Sequence, residues 1–322
     1  MTRRTRSTRT RTILLTGATL AALTATAACG SSGSTPLDQP AGGTAAATSG
    51  TAAAGSVVVG SANFPESELL MNIYAGALKA KGVNVSTRPN IGSRETYIPA
   101  LQDGSINLIP EYTGVLLQYF DKKATVTAPD EVYAAVQKAL PTGLTVLAKA
   151  AAEDKDSIVV TRDTATKNKL ASIGDLQPVA GQFVLGGPPE FAKRATGVPG
   201  LARVYGLTFK EFKPLDVAGP LTVQALKNGQ VQAANLFTTD PNVAANDFVA
   251  LQDPKSLFPA QNVVPLVAQS AATDQVTTTL DAVSAQLDTP TLAELVKQVV
   301  IDKKDASAVA NDFLSQKGLG GS

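Results

Sequence analysis

The most informative absence in this sequence is histidine, which occurs nowhere in its 322 residues, and cysteine occurs only once, at Cys29. Without histidine, Ser–His–Asp and Cys–His catalysis are excluded, as is any histidine or thiolate metal site in the folded body. A single cysteine cannot form a disulfide within the chain. Paired carboxylates remain a route to acid–base catalysis, but Glu111 has no partner at a recognisable spacing. We therefore predict no catalytic residue, no cofactor and no metal site.

Positive charge is scarce beyond the first residues of the chain. Five of the 28 basic residues lie between positions 3 and 11, which leaves 23 basic against 27 acidic residues in the rest. No basic stripe remains, so we predict no nucleic-acid partner. Tryptophan is absent, and no apolar run after residue 28 is long enough to span a bilayer.

The N-terminal segment is typical of an export signal. Its early arginines are followed by the apolar stretch Ile13–Ala28, which ends in "TAAC" (26–29). "TAACG" resembles a lipobox, so we expect residues 1–28 to be removed and Cys29 to carry lipid. The alternative is a fortuitous cysteine in a discarded leader.

The segment that follows contains almost no large apolar side chain. Residues 29–55 are mainly Gly, Ala, Ser and Thr, a composition that cannot bury a core. We expect a lipidated flexible tether, with an end-to-end distance of roughly 25–30 Å for a Gly/Ser-type coil. The protein would then be exported and anchored by lipid at the outer face of a bacterial cytoplasmic membrane.

The body of the chain alternates strand and helix patterns. The stretch "VVVGSANFPESELLMNIYAGALKAKG" (57–82) reads as strand, loop and helix, with Asn63 and Glu66 spaced as a capping box around Pro65. Such alternation predicts an α/β fold with a mostly parallel sheet covered by helices. Three closing helices are predicted at Gln275–Leu287, Thr291–Val300 and Ala306–Gln316.

The same order of features occurs twice in the chain. "ALQDGSINLIPEYTG" (100–114) is echoed by "ALKNGQVQAANLFTTD" (225–240), and Tyr112 and Phe237 are 125 residues apart. We therefore predict two similar lobes. Residues 56–111 and 241–322 would form the first lobe, and residues 112–240 the second.

Several motifs together resemble one known family. "GSANF", "PEYTG", "GGPPEFAKRATGVPGL" and "FTTD" are similar to segments of the substrate-binding proteins of ABC importers for glycine betaine, choline and related osmoprotectants. The resemblance covers roughly residues 56–318. It implies a type II periplasmic-binding fold, in which two α/β lobes are joined by two crossover strands and bind a small solute in the cleft between them. "PEYTG" and "LFTTD" would be the two crossings.

The resemblance also implies partners. They are a small-molecule solute, an ABC permease and, through the permease, its ATPase, and we expect the binding protein to be a monomer. The alternative is a passive surface lipoprotein, which would need neither the duplicated lobes nor a polar cleft.

The family holds a quaternary ammonium over aromatic faces, because a methylated cation has no N–H to donate and is attracted by the ring quadrupole. The resemblance implies Tyr112 and Phe237 as two of these rings, and Arg194 as the group that grips a ligand carboxylate. Two further positions at which relatives often carry Tyr align with Asp156 and Gln261. The predicted ligand-binding set is completed by Asn63, Thr113, Glu190 and Thr238.

The cage implied by these residues is incomplete, because two of about four rings are replaced by polar side chains. We therefore predict that glycine betaine binds weakly, with a Kd no better than about 100 μM. A hydroxylated ring compound or another polar solute is the alternative ligand. Each predicted contact also has a structural alternative. Tyr112 and Phe237 could be packing residues, Asn63 a cap with Glu66, and Thr113 and Thr238 helix caps. The charged and amide side chains could have other roles: Arg194 as a surface or helix-end cation, Glu190 as a first-turn carboxylate, and Asp156 and Gln261 as solvated loop residues.

Overall fold

A computed structural model describes residues 56–321 of the chain. The predicted export signal, Cys29 and the tether lie outside these residues. Within residues 56–321, no helix is both long enough and apolar enough to cross a membrane.

The first lobe is built on a five-stranded sheet with strand order β2-β1-β3-β10-β4. Strands β1, β2 and β3 are parallel, and β10 runs antiparallel to both β3 and β4. These strands are β1 (Ser56–Gly60), β2 (Asn84–Arg88), β3 (Leu108–Tyr112), β4 (Leu144–Val146) and β10 (Val263–Ala268). The helices are α1 (Pro65–Ala80), α2 (Arg94–Gln102), α3 (Thr113–Phe120), α4 (Pro129–Ala139), α9 (Asp274–Ser284), α10 (Thr289–Val300) and α11 (Ala306–Gln316).

The second lobe repeats this topology with strand order β7-β6-β8-β5-β9. Again three strands are parallel, and a fourth runs antiparallel between its two neighbours. Its strands are β5 (Asp156–Thr161), β6 (Val184–Gly187), β7 (Glu211–Pro214), β8 (Ala233–Phe237) and β9 (Phe248–Ala250). Its helices are α5 (Arg162–Asn168), α6 (Val198–Tyr205), α7 (Pro220–Lys227) and α8 (Pro241–Ala245). The predicted duplication is therefore confirmed, with β3 and β8 as equivalent strands.

Each sheet separates two apolar clusters, as the pattern of strands and helices predicted. In the first lobe, one face packs against α1, α9, α10 and α11, and the opposite face against α2, α3 and α4. Two further apolar clusters cover the faces of the second sheet. All five residues of β3 are buried, which explains why its sequence has no polar alternation apart from Glu111.

The predicted lobe boundaries at residues 112 and 240 are wrong. Strand β4 pairs with β10 in the first sheet, so the chain stays in the first lobe to residue 146. Strand β9 pairs with β5 in the second sheet, so the chain stays in the second lobe to residue 250.

The chain crosses between the lobes at residues 147–155 and 251–262. An antiparallel bridge between Glu153 and Asn262 joins these two segments. "PEYTG" and "LFTTD" are therefore not the crossings. They are the equivalent carboxyl ends of β3 and β8, one in each lobe.

The predicted capping box at the start of α1 is also wrong. The N-cap residue of α1 is Phe64, in an extended conformation and without a side-chain cap, and Pro65 is the first helical residue. The loop before it is held by Ser67, whose Oγ accepts the Ala62 N–H at 2.9 Å. Glu66 points instead into the interior between the lobes, where its side chain is buried.

Candidate functional site between the lobes

A pocket lies between the two sheets, beside the carboxyl ends of β3 and β8. Parallel α/β sheets bind ligands at this end of their strands. Seven of the nine predicted ligand-binding residues line this pocket: Asn63, Tyr112, Asp156, Glu190, Arg194, Phe237 and Gln261. The folding of two distant repeats thus brings together residues that are up to 198 positions apart in the sequence.

The other two predicted residues, Thr113 and Thr238, lie outside the pocket lining. Thr113 Oγ1 donates to the Ala260 carbonyl at 3.2 Å and accepts the Asn262 N–H at 3.1 Å. Thr238 Oγ1 accepts the Lys155 N–H at 2.9 Å. Neither residue is an N-cap of a helix, and each ties the end of its strand to one of the crossings.

Three aromatic rings meet across the cleft. Phe64 lies between the two predicted rings, with its centroid 6.2 Å from that of Tyr112 and 5.4 Å from that of Phe237. Sequence reasoning missed Phe64, although it ends the "GSANF" motif and follows β1 at the same edge of the sheet. The cluster joins two rings of the first lobe to one ring of the second.

A carboxylate stands beside this aromatic cluster. Asp156 begins β5 directly opposite Phe237 in the antiparallel ladder, so the two side chains share one part of the cleft. Asp156 Oδ1 accepts a hydrogen bond from Asn235 Nδ2 at 2.9 Å. Burial raises the pKa of Asp156, and the Asn235 hydrogen bond opposes this effect only in part. A ligand cation would therefore stabilise the ionised form of this carboxylate.

Positive charge also lines the pocket. Arg194 Nη2 is 3.2 Å from Glu95 Oε2 and 3.7 Å from Glu190 Oε1. Since Glu95 lies in the first turn of α2 in the first lobe, its contact with Arg194 spans the mouth of the cleft. Burial raises the pKa of Glu95, but the Ser93 hydrogen bond and the Arg194 charge outweigh it and lower this pKa to about 2.

Arg94 is the second arginine in the lining, and it is fixed by the carboxylate of "PEYTG". Its Nε and Nη2 donate to Glu111 Oε1 and Oε2 at 2.6 and 2.8 Å, and Tyr97 Oη donates to Oε1 at 2.7 Å. Glu111 is fully buried and paired. Glu111, the candidate for acid–base catalysis in the sequence analysis, therefore holds Arg94 in position in the wall of the cleft.

Of the two polar atoms in the Gln261 side chain, one is hydrogen-bonded within the protein and the other is not. Its Oε1 accepts the Val115 N–H at 2.9 Å and so holds the first turn of α3 against the crossing. Its Nε2 has no hydrogen-bond partner among the described residues, and the side chain lines the pocket. This amide is available as a donor to a ligand.

The pocket opens into a wider mouth of about 760 Å³. The two spaces share Ser93, Arg94, Val115, Glu190 and Arg194 in their walls. Beyond these residues, the mouth is lined by the polar side chains of Gln118, Lys122 and Lys193. A ligand larger than the inner pocket can therefore extend into the mouth.

Comparison of the sequence with protein families and with characterised proteins gives a consistent result. Residues 55–316 match the family described as the substrate binding domain of ABC-type glycine betaine transport systems. The glycine betaine-binding protein YehZ of Escherichia coli K12 is 32% identical over 280 residues, which are 83% of this chain and 92% of that protein. The carnitine transport binding protein OpuCC of Listeria monocytogenes is 24% identical over 270 residues, or 80% of this chain and 85% of that protein.

Solved structures show the same fold. A crystal structure of a glycine betaine/carnitine/choline ABC transporter protein aligns with a TM-score of 0.65 and 22% identity, over 82% of this chain and 99% of that chain. Apo YehZ from Escherichia coli aligns with a TM-score of 0.57 and 30% identity, over 82% of this chain and 99% of that chain.

Proposed function

Because the chain belongs to the family of substrate-binding domains of ABC-type glycine betaine transport systems, we propose that it captures a zwitterionic solute larger than glycine betaine. It would hold the solute between its lobes and deliver it to an ABC permease, which is driven by its ATPase. The family consists of solute-binding domains rather than enzymes. We further propose that the protein is exported and held at the membrane by lipid on Cys29.

The observation that carries this proposal is the presence of both charges in the lining of one cleft. The rings of Phe64, Tyr112 and Phe237 line it with the carboxylate of Asp156, and the guanidinium of Arg194 lines it as well. Aromatic faces and a carboxylate attract a cationic head, while a guanidinium pairs with a carboxylate. A solute that carries both charges can pair with both groups, whereas a simple cation or anion can pair with only one.

The expected preference for a larger solute follows from the polar groups and the mouth. The resemblance aligns Asp156 and Gln261 with positions at which relatives often carry rings, so the cage would offer less cation–π attraction to a bare trimethylammonium group. A substituent that hydrogen-bonds the Gln261 amide, or reaches the polar mouth, would offset this loss. A hydroxylated ring compound is the second candidate, because it would stack on the aromatic cluster and bond with Asp156 and Gln261.

A thermal-shift screen of the protein against glycine betaine, carnitine, ergothioneine, choline and hydroxylated ring compounds tests the proposal. Stabilisation follows RT ln(1 + [L]/Kd), so weak ligands are detectable at high concentration. We expect carnitine or ergothioneine to raise the melting temperature more than choline, which has no carboxylate. The variant Arg194→Gln should abolish this difference. If no solute shifts the wild-type protein, the proposal is wrong.

A further inference from the structure

Two buried carboxyl groups contact each other at the boundary between the lobes. Glu66 lies in the first turn of α1 in the first lobe, and Asp154 lies on the crossing at residues 147–155. The two residues are 4% and 5% exposed. Their side chains are hydrogen-bonded to each other, which requires a proton on one of them, because a carboxylate has no hydrogen to donate. The pair therefore holds a proton when the lobes are arranged in this way.

Thr239 of the second lobe connects both carboxyl groups. Its Oγ1 donates to Glu66 Oε2 at 2.6 Å, and its N–H donates to Asp154 Oδ1 at 3.0 Å. Thr238 Oγ1 also donates to Asp154 Oδ1, at 3.3 Å. Glu66 Oε1 accepts Tyr112 Oη at 2.7 Å. One network thus joins the first lobe, a crossing and the second lobe, and we call this arrangement of the lobes closed.

The surroundings of the pair supply negative charge and no counter-ion. Besides burial, the charge of Asp240 raises the pKa of Glu66, and the charge of Asp156 raises the pKa of Asp154. Among residues 56–321, no lysine or arginine forms an ion pair with Glu66 or Asp154. The nearby basic side chains have other partners: Arg94 pairs with Glu111, Arg194 with Glu95 and Glu190, and Lys155 with Glu153, and Lys303 Nζ donates to the Val300 carbonyl.

Opening of the lobes would change the protonation of this pair. In the closed arrangement, burial raises the pKa of both carboxyl groups, and that of Glu66 rises to about 7. When the lobes separate, water reaches both groups, and their pKa values return toward the ordinary 4.5 and 3.8. Between these values and neutral pH, the open protein therefore releases a proton that the closed protein holds. Without that proton, two adjacent carboxylates repel each other across the boundary and destabilise the closed arrangement.

We propose that closure of the lobes takes up one proton, which Glu66 and Asp154 share, so that closure weakens as this pair ionises. The inference rests on the proposed function, because it concerns the regulation of the cleft between the same lobes. A solute that favours closure favours proton uptake, and by linkage the proton favours solute binding equally. Solute affinity should then fall by at most about tenfold per pH unit between about pH 4.5 and 7.

Double electron–electron resonance measures closure without any solute. Lys122 and Lys193 line the mouth from different lobes, so spin labels at Lys122→Cys and Lys193→Cys report on its width. The full chain is used, with Cys29→Ser to prevent labelling there. We expect the fraction of short label distances to fall as the pH rises from about 5 to about 8. Label distances that do not change over this range would overturn the proposal.

Variants of the labelled chain assign the proton. Asp154→Asn imitates the protonated pair, because its Oδ1 can keep the hydrogen bonds from Thr238 and Thr239 while its amide donates to Glu66. It should keep the short distance throughout the pH range, and Glu66→Gln should also remove the pH dependence.

Asp240→Asn is the matched control for these variants. It removes another buried carboxyl group of the same boundary and keeps a favoured N-cap residue for α8, so the wild-type pH dependence should remain. A wild-type pH response in Asp154→Asn, or its loss in Asp240→Asn, would overturn the assignment of the proton to Glu66 and Asp154.

Calorimetry extends the test to solute binding. Glycine betaine, carnitine and ergothioneine are titrated into the wild-type protein at about pH 6, in buffers with different ionisation enthalpies, which gives the number of protons exchanged. We expect net proton uptake with any solute that binds, and none with Asp154→Asn. Binding without proton uptake would overturn the proposal. If none of these solutes binds, the proposed function is wrong, whereas the label distances measured without solute still decide whether closure takes up a proton.

Discussion

At the scale of single residues, the three rings of the cleft have different roles. Tyr112 Oη donates a hydrogen bond to Glu66 at 2.7 Å. Phe64 and Phe237 have no hydrogen-bonding group in their side chains and can contact a ligand only through their rings. Sequence analysis left two roles open for Tyr112, as a packing residue and as a ring of the cleft, and in the structure it has both. The hydroxyl positions Glu66, and the ring remains part of the aromatic cluster.

Substitutions separate these two roles. Phe237→Ala should weaken the cleft solute by roughly 1–2 kcal/mol, the range for losing one desolvated cation–π partner. Tyr112→Phe keeps a ring and should leave solute affinity within about threefold, but it should lower the free energy of unfolding by about 1–3 kcal/mol, because Glu66 loses a donor in a buried site. Calorimetry and urea denaturation measure the two effects. A large affinity loss in Tyr112→Phe would contradict this division.

Glu66 also makes stability depend on pH. Its pKa is raised from 4.5 to about 7, first by burial, against the hydrogen bonds from Thr239, Tyr112 and Asp154. The folded state therefore holds a proton that the unfolded chain releases near pH 4.5. Since the folded state binds more protons between about pH 4.5 and 7, the free energy of unfolding should fall as pH rises through this window. The slope for one proton is at most about 1.4 kcal/mol per pH unit.

Other carboxyl groups also contribute to the pH dependence of the free energy of unfolding. Burial also raises the pKa of Asp154 and Asp240, so both act in the same direction as Glu66. The lowered pKa of Glu95 acts below pH 4.5, outside this window. Urea denaturation between pH 4.5 and 7.5 should show the fall, and Glu66→Gln should reduce its slope. Stability that rises over this range in the wild-type protein would refute the prediction.

At the scale of elements, local pattern predicted most helices and strands. The three closing helices were predicted within three residues at each end, and Ala306–Gln316 agrees at both ends. Helical periodicity reports a buried face, which is a local property of the sequence. The pairing of β4 with β10 joins segments more than 100 residues apart, and no local pattern encodes it. For this reason the strands were found but the crossings were assigned to the wrong segments.

The candidate site was predictable to a similar extent. Tyr112, Phe237 and Arg194 were placed by motif, and the structure brings all three to one pocket. Phe64 was missed because it precedes Pro65 in what looked like a capped helix start. The role of Thr113 was missed because its partners, Ala260 and Asn262, belong to a crossing whose path the sequence did not reveal.

The first turn of α3 gives a test at this scale. A Cβ at Gly114 would lie 2.5 Å from the Ala260 carbonyl oxygen and 3.1 Å from Gln261 Oε1. Gly114→Ala should therefore push α3 away from the crossing and destabilise the protein by roughly 1–3 kcal/mol, the range for overpacking. Gly181→Ala is the matched control, because a Cβ there meets nothing within 4 Å. Equal unfolding free energies for the two variants would contradict this account of the junction.

At the scale of the whole molecule, the proposed lipid anchor places the binding domain beside a membrane transporter. Cys29→Ser should move the protein from the membrane fraction to the soluble fraction of bacteria that express it, because the substituted residue cannot be acylated. Detergent extraction followed by immunoblotting measures the distribution. Cys29→Ser protein that still partitions with membranes would refute lipidation at this residue, without bearing on the cleft.

Calorimetric titration of the wild-type protein with glycine betaine, carnitine and ergothioneine tests the proposed solute preference most directly. The cleft combines three rings, Phe64, Tyr112 and Phe237, with the polar side chains of Asp156 and Gln261. From the ring positions that these polar side chains occupy, we predict a Kd for glycine betaine no tighter than about 100 μM. Since the cleft opens into the polar mouth, at least one of the two larger zwitterions should bind at least about tenfold more tightly, and Arg194→Gln should remove that binding. Micromolar binding of glycine betaine, with no gain for either larger solute, would contradict the account.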